Sequence, residues 1–492
     1  MPPIVASSPE NSVPLCVDLD GTLIKTDVLW ESMMLLLKRS PFYLLVMPFW
    51  WLRGRAFLKQ QIAVRTELDP AGLPYHPAFL EYLRSEQRTG RPLILATAAD
   101  EQLARRIAQH LGLFNEVVAS NGETNLRGKH KGHTLVQRFG RQGFDYAGNS
   151  PVDLPVWEQA RSAIVVNANG RLTDRARRLA EVSRIFPNSA PIWPAIFQAV
   201  RPHQWVKNLI VFVPLLTSHK FADKDVLIRA ILAFVAFCLC ASGVYVLNDL
   251  LDLEADRNHA VKKLRPFASG HLSLAIGLLM IPLLLAASAG VAWWLSGNFA
   301  SVLALYFVLT TSYSWRVKKV ALLDVFFLAG LYTMRLIGGH AATGVAHSFW
   351  LLVFSMFIFL SLALVKRFTE LKSLRRQSLS DSRGRGYTAD DLEPVAMLGI
   401  VSGFLAVLVL ALYVNSQQSQ DLYQYPIALL LLCPLLLYWI SRVWLIAHRG
   451  QMHDDPIVFA LKDGTSYLIG TLILGVLWLA TGHPIAKDFL SR

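Results

Sequence analysis

The chain has 492 residues, of which 53% are hydrophobic, and a formal net charge of +13 at pH 7. Its mean hydropathy of +0.38 is too high for an ordinary soluble protein, and its length exceeds that of one typical domain. The positive charge does not indicate nucleic-acid binding, because no aromatic-and-basic recognition motif accompanies it. The four cysteines lack metal-ligand spacing, which argues against a zinc site or a disulfide framework.

The distribution of apolar residues predicts two domains, a soluble one over residues 1–190 and a membrane domain over residues 191–492. Short apolar stretches alternate with charged ones in the first part, whereas apolar runs of about 20 residues recur in the second, the length that crosses a bilayer. The first 14 residues lack the basic start and long apolar core of a signal peptide. We therefore expect that no such peptide exports the first domain.

Apolar runs in the soluble domain predict β-strands with helical stretches between several of them, at 14–17, 93–96, 117–119, 144–147 and 163–166. This alternation indicates an α/β fold with a doubly wound parallel sheet. Asp18 and Asp20 directly follow the first strand, at the edge where such sheets bind ligands. A carboxylate at Asp18 can attack phosphorus, while Asp20 can protonate the leaving oxygen and later activate water.

The Asp-Leu-Asp-Gly-Thr run at 18–22 resembles the signature of the haloacid dehalogenase superfamily of phosphatases. The resemblance implies that Thr97 provides a phosphate-binding hydroxyl and that Lys131 neutralises the phosphate, with Lys129 close enough to compete.

The same resemblance implies a Mg²⁺ site formed by Asp18, Asp20 and Asp153. Asn149 stands where the family usually has the first acid of its later metal motif, which leaves Asp153 as the clearest side-chain ligand of that loop. A decayed phosphatase is therefore the main alternative to an active one.

Residues 30–65 predict a helical cap on the soluble domain. The stretch from Phe42 to Leu52 contains no charge but is too short to span a bilayer. Its tryptophans and the basic residues nearby would suit lipid headgroups, namely Trp50, Trp51, Lys38, Arg39, Arg53 and Arg55. Packing within the cap is the commoner role of such residues, and it is the role we expect.

Nine apolar runs predict a helical membrane bundle, at about 196–216, 227–250, 273–296, 299–315, 320–339, 348–366, 394–415, 425–446 and 464–482. Lys and Arg concentrate in the loops after the second, fourth, sixth and eighth runs, and they are absent after the third, fifth and seventh. By the positive-inside rule, the basic loops and the N-terminal domain should be cytoplasmic. We expect a multi-pass protein of the inner membrane.

An acidic motif at the end of the second run comprises Asn248, Asp249, Asp252 and Asp256. The i, i+3, i+7 spacing of the three acids places them on one helix face. Clustered anions at a membrane boundary are costly unless a cation binds them, and Mg²⁺ favours carboxylates together with phosphate oxygens. The alternative is a solvated helix end whose acids fall together by chance.

Further polar residues in loops on the same predicted side would suit a metal-bound diphosphate, and we expect substrate binding from Lys207, Asn208, Lys262, Arg265, Tyr313, Lys318 and Lys366. For Lys207 or Lys366 alone, an ordinary positive-inside charge is about as plausible. Tyr313 has the alternative of an aromatic anchor at the membrane interface.

The N-D-x-x-D-x-x-x-D motif at 248–256 resembles that of the UbiA superfamily of intramembrane prenyltransferases, where it lies on the second of nine helices. The resemblance implies that Asp249, Asp252 and Asp256 hold Mg²⁺ and that the first two act in catalysis. Within the superfamily, motifs at 201–208 and 256–266 are similar to those of the decaprenyl-phosphate phosphoribosyltransferase branch. Stretches at 384–387 and 454–460 strengthen this similarity.

A second D-x-x-x-D motif, usual in aromatic prenyltransferases, is incomplete because Leu328 follows Asp324 at the matching position. One acid with Arg335, Lys207 and Lys366 suits phosphoribosyl diphosphate better than a donor that needs two metal clusters. The leading hypothesis is therefore transfer of 5-phosphoribose to a polyprenyl phosphate, with the phosphatase removing the 5-phosphate afterwards.

Two alternatives remain open. One is a UbiA-type enzyme that moves a prenyl chain from a prenyl diphosphate lipid to an aromatic or other small acceptor. The other is an ion-coupled transporter, which should place its acids near the middle of the bilayer rather than at a helix end.

Overall fold

The computed structural model describes residues 13–187, 191–220, 222–376, 386–452 and 455–482. The chain divides into two compact units. The first comprises Met1–Val200 with Tyr245–Ile281, and the second comprises Arg201–Val244 with Pro282–Arg492. The acidic motif thus belongs to the first unit, and the domain boundary near residue 190 stays a prediction.

The sheet of the first unit has six parallel strands in the order β3-β2-β1-β4-β5-β6, which confirms the predicted α/β parallel-sheet fold. The strands are β1 (Leu15–Val17), β2 (Leu93–Asp100), β3 (Glu116–Ser120), β4 (Asp145–Gly148), β5 (Ser162–Val166) and β6 (Glu181–Phe186). β1 is completely buried, as expected for a central strand with helices on both faces. β6 was not predicted, because this edge strand is largely exposed and lacks an apolar run.

Helices of the first unit follow the strands and form the cap. They are α1 (Val28–Arg39), α2 (Tyr43–Leu52), α3 (Arg55–Arg65), α4 (Pro77–Arg88), α5 (Glu101–Leu111), α6 (Lys129–Phe139), α7 (Leu154–Trp157), α8 (Gly170–Arg177) and α9 (Ile192–Val200). Asp27 caps α1 by accepting the N–H of Leu29 at 2.8 Å, which satisfies a donor that the first turn leaves open. The predicted helical cap corresponds to α1–α3.

The remaining helices belong to the membrane part of the chain. They are α10 (Val213–Thr217), α11 (Lys224–Leu251), α12 (Leu253–Arg257), α13 (Leu274–Leu295), α14 (Gly297–Trp315), α15 (Leu323–Thr343), α16 (Phe349–Arg376), α17 (Leu392–Val414), α18 (Gln417–Leu422), α19 (Leu432–Arg449), α20 (Pro456–Ala460) and α21 (Gly464–Ala480). Among the described residues, six segments are long and apolar enough to cross a membrane: Lys224–Leu251, Leu274–Leu295, Leu323–Thr343, Phe349–Arg376, Ala389–Val414 and Pro426–Arg449.

The prediction of nine spans is therefore not confirmed. The first predicted span is interrupted at Arg201, which adopts a positive φ of 55° before Pro202 begins a 3₁₀ helix that ends at Phe212. Serine and threonine residues lower the hydropathy of α14, and α21 has only 17 residues. The break at Arg201 depends on backbone geometry that apolar composition does not show, whereas the lower hydropathy of α14 is a property of its sequence.

The helices of the second unit pack closely where small residues face aromatic rings. A Cβ atom at Gly338 of α15 would lie 2.5 Å from the ring of Phe237, and one at Gly399 of α17 would lie 2.1 Å from the ring of Trp444. Trp444 also donates to Ser361 Oγ at 3.1 Å. Small residues therefore permit the close helix contacts that are typical of membrane bundles.

Candidate active sites

Asp18 and Asp20 lie at the carboxyl end of β1, where the strand order reverses between β1 and β4. The Asp18 N–H donates to the carbonyl oxygen of Ala147 in β4 at 3.0 Å, which fixes the start of the loop. Asp20 Oδ1 accepts the N–H of Val28 at 2.8 Å. The loop thus presents both carboxylates at the position where open α/β sheets bind ligands.

Lys131 is buried on α6 and is the lysine that reaches Asp18. Its Nζ donates to Asp18 Oδ1 at 2.7 Å and to the Tyr146 hydroxyl at 2.9 Å, whereas Lys129 is exposed. The Tyr146 hydroxyl in turn donates to Asp153 Oδ1 at 3.0 Å. A continuous hydrogen-bonded chain therefore joins two of the predicted metal ligands through one cation.

Asp153 accepts several hydrogen bonds from residues of its own loop. Its Oδ2 accepts the backbone N–H of Asn149 at 3.0 Å and that of Ser150 at 2.9 Å, and also the Ser150 hydroxyl at 3.2 Å. Asn149 lies against Gly21, where a Cβ atom would be 2.0 Å from its amide nitrogen. Glycine, with a φ of +74° here, is the residue that this close approach allows.

Thr97 lies on β2 and is fully buried. Its Oγ accepts the N–H of Ala99 at 3.0 Å. The cleft beside Asp18 is lined by the residues that follow Thr97, namely Ala98, Ala99 and Asp100. The hydroxyl thus shapes the strand end, and direct contact with phosphate stays a prediction.

The cleft around these acids has a volume of about 810 Å³ and also contains basic residues that sequence reasoning missed: Lys25, Arg55, Lys59 and Arg127. Lys59 reaches from cap helix α3 to the Ala98 carbonyl at 2.6 Å and to Asn125 Oδ1 at 3.1 Å. These cations share no motif or spacing, so only the fold brings them together. Together with Lys131 they make five cations, matched by five acids in the same lining, and such cations can pair with the phosphate of a substrate.

Burial raises the pKa of both catalytic candidates, which favours the protonated form that an acid such as Asp20 needs and opposes the ionised form that a nucleophile such as Asp18 needs. Burial raises the pKa of Asp18 to about 6, although Lys131 opposes the shift. Burial, with the nearby charge of Asp27, raises the pKa of Asp20 well above its usual range. Lys131 favours the ionised form of Asp18, whereas Asp20, beside the charge of Asp27, keeps its proton to a higher pH than an ordinary aspartate because its pKa is raised.

Within the described ranges, no group of three or more His, Cys, Asp or Glu side chains is arranged to hold a metal ion. In the cleft, Asp153 is already engaged by four hydrogen-bond donors, and Asn149 replaces an acid. These residues do not fit a preformed three-acid Mg²⁺ site. Mg²⁺ binding by Asp18, Asp20 and Asp153 stays a prediction.

The acidic motif lies where α11 ends and α12 begins. Asn248 and Asp249 occupy the last turn of α11, and half-buried Asp252 separates the two helices. The Asp252 N–H donates to the Asn248 carbonyl at 2.9 Å, and the Asp256 N–H donates to the Asp252 carbonyl at 2.8 Å. The helical repeat therefore continues across the break and keeps the acids in their predicted spacing.

Arg265 joins two acids of this motif. Its Nη1 donates to Asp249 Oδ1 at 3.1 Å and to Asp256 Oδ2 at 2.6 Å, and both carboxylates are buried. One guanidinium thus provides the positive charge that two buried anions require. Carboxylates are suitable ligands for a divalent cation. In this structure, however, the guanidinium of Arg265 lies between Asp249 and Asp256.

The segment after the motif contacts the cap within the first unit. Arg257 pairs with both carboxylate oxygens of Glu31 on α1, at 2.5 and 3.1 Å, and donates to the Ala268 carbonyl at 3.0 Å. Lys262 is exposed in a short 3₁₀ helix that ends at Leu264. No sequence pattern indicated that Glu31 and Arg257 would meet, because 226 positions separate them.

In the second unit, Lys207 and Lys366 share one carboxylate. Their Nζ atoms donate to Asp455 Oδ2 at 2.9 and 3.2 Å. Burial would raise the pKa of Asp455, but the two lysines outweigh it and lower the pKa to about 2. The structure therefore brings together two predicted ligand-binding lysines through an acid that was not predicted as a site residue.

Asn208 is buried and points into the interior of the second unit. Its Oδ1 accepts Arg335 Nε at 2.7 Å, and its amide nitrogen donates to Cys238 Sγ at 3.2 Å. Arg335 also donates to the Tyr306 hydroxyl at 2.8 Å and to the Leu331 carbonyl at 2.6 Å. These contacts make Asn208 and Arg335 parts of an internal network.

Asp324 is fully buried and paired with a buried cation. Arg367 Nη2 lies 2.5 Å from Asp324 Oδ2, and the Tyr387 hydroxyl donates to Asp324 Oδ1 at 2.6 Å. Tyr387 also accepts the N–H of Leu322 at 2.8 Å. The single acid of the incomplete second motif is therefore neutralised within the protein.

Tyr313 and Lys318 lie near the carboxyl end of α14 and are both half-buried. Tyr313 packs against the apolar core of the second unit, and Lys318 belongs to the short 3₁₀ helix Val317–Lys319. Their predicted substrate contacts stay predictions. Of the stretches at 384–387 and 454–460, residues 384, 385 and 454 lie outside the described residues.

Comparisons with known proteins agree with both units. Residues 15–158 match the model of haloacid dehalogenase-like hydrolases, and residues 210–454 match that of the UbiA prenyltransferase family. The chain is 38% identical over 474 residues to the protein y4nM of Sinorhizobium fredii, an alignment that covers 96% of this chain and 92% of that protein.

Two further relatives align with somewhat more than half of the chain. The nodulation protein NoeC of Azorhizobium caulinodans is 39% identical, with 57% of this chain and 92% of the relative aligned. A decaprenyl-phosphate phosphoribosyltransferase of Mycobacterium tuberculosis is 28% identical, with 58% of this chain and 92% of the relative aligned.

The fold, the acidic motif and these matches define a multi-pass membrane transferase joined to a hydrolase-like domain. The chain belongs to the UbiA prenyltransferase family, and a haloacid dehalogenase-like domain precedes its UbiA domain.

The two raised carboxyl pKa values predict a bell-shaped pH profile for hydrolysis of a soluble phosphate ester. The rate constant kcat/KM should rise as Asp18 ionises near pH 6 and fall at higher pH as Asp20 loses its proton. The Asp20→Asn variant should be slower by about 10²–10⁴-fold and lack the alkaline decline. An acidic limb centred near pH 4, the ordinary aspartate value, would contradict the role of burial.

Replacing Asp324 should destabilise the protein, because Arg367 would remain buried without its counterion. We expect Asp324→Asn to lower the free energy of unfolding by about 3–5 kcal/mol, measured as a lower unfolding temperature in detergent. The exposed Asp225→Asn is the matched control and should leave that temperature unchanged. Loss of transferase activity at an unchanged unfolding temperature would instead place Asp324 at the ligand.

Proposed function

We propose that this protein transfers a 5-phosphoribosyl group from phosphoribosyl diphosphate to a polyprenyl phosphate. An oxygen of the lipid phosphate forms a bond to the anomeric carbon of the sugar, and the bond from that carbon to the diphosphate breaks. The observation that most supports this proposal is the convergence of Asp249 and Asp256 on Arg265 at the end of α11. The mycobacterial relative named for phosphoribosyl transfer agrees with it.

The acids of the motif would be ligands for the metal ion that accompanies the diphosphate donor. Asp249, Asp252 and Asp256 would hold Mg²⁺, which supplies positive charge to the diphosphate. Arg265 could exchange a carboxylate oxygen for a diphosphate oxygen, because guanidinium pairs with either group. Negative charge grows on the diphosphate as it leaves, so these cationic groups stabilise the transition state more than the bound donor.

Asp324 favours this donor over a prenyl diphosphate that requires two metal clusters. Its pairing with Arg367 and Tyr387 engages the carboxylate that a second cluster would need. In the second unit, Lys207 and Lys366 provide two cations beside a single anion, Asp455. Such a pair suits a phosphate group.

The haloacid dehalogenase-like domain would remove the 5-phosphate from the transfer product. Asp18 would attack phosphorus, Asp20 would protonate the leaving sugar oxygen, and Lys131 would balance the charge of the phosphate. The lysines and arginines that line the cleft around Asp18 support a phosphorylated substrate. The positive-inside distribution supports a cytoplasmic location for this domain, and we propose the inner membrane as its site of residence.

Separate variants of the two acidic sites should block two successive steps. In proteoliposomes given labelled phosphoribosyl diphosphate and polyprenyl phosphate, Asp252→Ala should yield no ribosyl lipid, because it removes a carboxylate ligand from the donor site. Asp18→Asn should instead accumulate a lipid that still bears the ribose 5-phosphate. Mass spectrometry of the extracted lipids distinguishes these outcomes.

The matched control is Glu254→Ala, which removes an exposed acid two residues from Asp252 and should leave transfer unchanged. Removal of divalent metal with EDTA should stop transfer in the wild type. Incorporation of a labelled prenyl diphosphate into a small aromatic acceptor, without ribosyl lipid, would contradict the proposal and favour an aromatic prenyltransferase.

A further inference from the structure

Helix α2 of the cap presents an apolar face that no other part of its unit covers. Phe42, which immediately precedes the helix, is 65% exposed, and Leu45, Phe49 and Leu52 are 66, 69 and 79% exposed. The spacings of three, four and three residues place these side chains on one side of the helix. The outward surface of α2 is therefore a continuous stripe of large apolar groups, which we call the α2 stripe.

The opposite side of α2 holds the helix in the cap. Met47 is buried with Leu36 of α1 and Ile62 of α3, and Tyr43 and Trp50 pack around this small core. Trp50 also lies under the guanidinium of Arg65, 5.0 Å from the ring centroid. Packing within the cap thus explains one side of α2 and the position of Trp50, for which it was expected, whereas Trp51 is 57% exposed.

The charges around α2 complement a membrane surface. The helix itself contains no charged residue, while Lys38 and Arg39 end α1 and Arg53 and Arg55 follow α2. At about 1.5 Å per residue, ten residues span roughly 15 Å, half of a bilayer core. An apolar stripe with basic residues at both ends suits a helix that lies in the interface beside anionic headgroups.

The same helices form a wall of the phosphatase cleft. Trp51 at the end of α2 and Arg55 at the start of α3 line the cleft that contains Asp18 and Lys131. A lipid surface in contact with the α2 stripe would therefore lie next to the rim of this cleft.

We propose that the α2 stripe inserts into the bilayer surface and that the phosphatase acts on a phosphate carried by a membrane lipid. This substrate class rests on the proposed phosphatase function, whereas the insertion of α2 does not. The lipid tail stays in the bilayer, and the phosphorylated headgroup enters the cleft past Trp51 and Arg55. The chain is already a membrane protein, so the bilayer can cover the α2 stripe without a separate protein partner.

Insertion can be measured without any enzymatic activity. An environment-sensitive fluorophore on Phe49→Cys, in a Cys433→Ser background of the full chain, is followed in proteoliposomes that contain anionic lipid and nitroxide-labelled lipid. We expect strong quenching at position 49. The control is Gln109→Cys, an exposed site at the far end of α5, which should be quenched little.

Equal quenching at the two positions would overturn the insertion. A blue-shifted fluorophore at position 49 without lipid quenching would also overturn it, because it would indicate a protein partner such as a second copy of the chain.

The substrate class is tested with the triple variant Leu45→Ser, Phe49→Ser and Leu52→Ser, none of which lines the cleft. Its hydrolysis of phosphoribosyl lipid in vesicles should fall about tenfold or more, while its hydrolysis of soluble p-nitrophenyl phosphate should remain as in the wild type. Unchanged lipid hydrolysis would overturn the proposed substrate class. If Asp18→Asn cleaves p-nitrophenyl phosphate as fast as the wild type, the phosphatase function itself fails.

Discussion

The cost of burying a negative charge governs both units of this protein. A carboxylate removed from water must find a cation or lose its charge, and an unpaired buried ion costs several kcal/mol. Each candidate site meets this requirement with a lysine or arginine close by. The pairs are Asp18 with Lys131, Asp249 and Asp256 with Arg265, Asp324 with Arg367, and Asp455 with Lys207 and Lys366.

Solvent access to the cation separates structural pairs from exchangeable ones. The side chain of Arg367 is 1% exposed, so no ligand reaches it without unfolding the surrounding helices. Those of Arg265 and Lys366 are 28 and 33% exposed, which allows each to trade a carboxylate for an incoming phosphate. This difference explains why the acidic motif and Lys366 suit substrate binding, while Asp324 serves the fold.

The sequence predicted features that depend on local pattern, such as the buried strands and the i, i+3, i+7 acids. It missed β6, whose residues are exposed at the sheet edge, and the break at Arg201, which depends on a positive φ before proline. Lys59 was missed, and Asp455 was noted only as part of the 454–460 stretch, because their partners are distant in sequence. The exposure of α2 depends on what the cap leaves uncovered, and no periodicity could reveal that.

The central claim is that carboxylates at the end of α11 hold a divalent metal on the diphosphate of a sugar donor. Electron–nuclear double resonance tests it most directly, with Mn²⁺ replacing Mg²⁺ and the Asp18→Asn background limiting phosphate chemistry at the other site. The account predicts ³¹P coupling to Mn²⁺ when phosphoribosyl diphosphate is added, and loss of that coupling in Asp252→Ala. Coupling of equal strength in both proteins, or none in either, would contradict it.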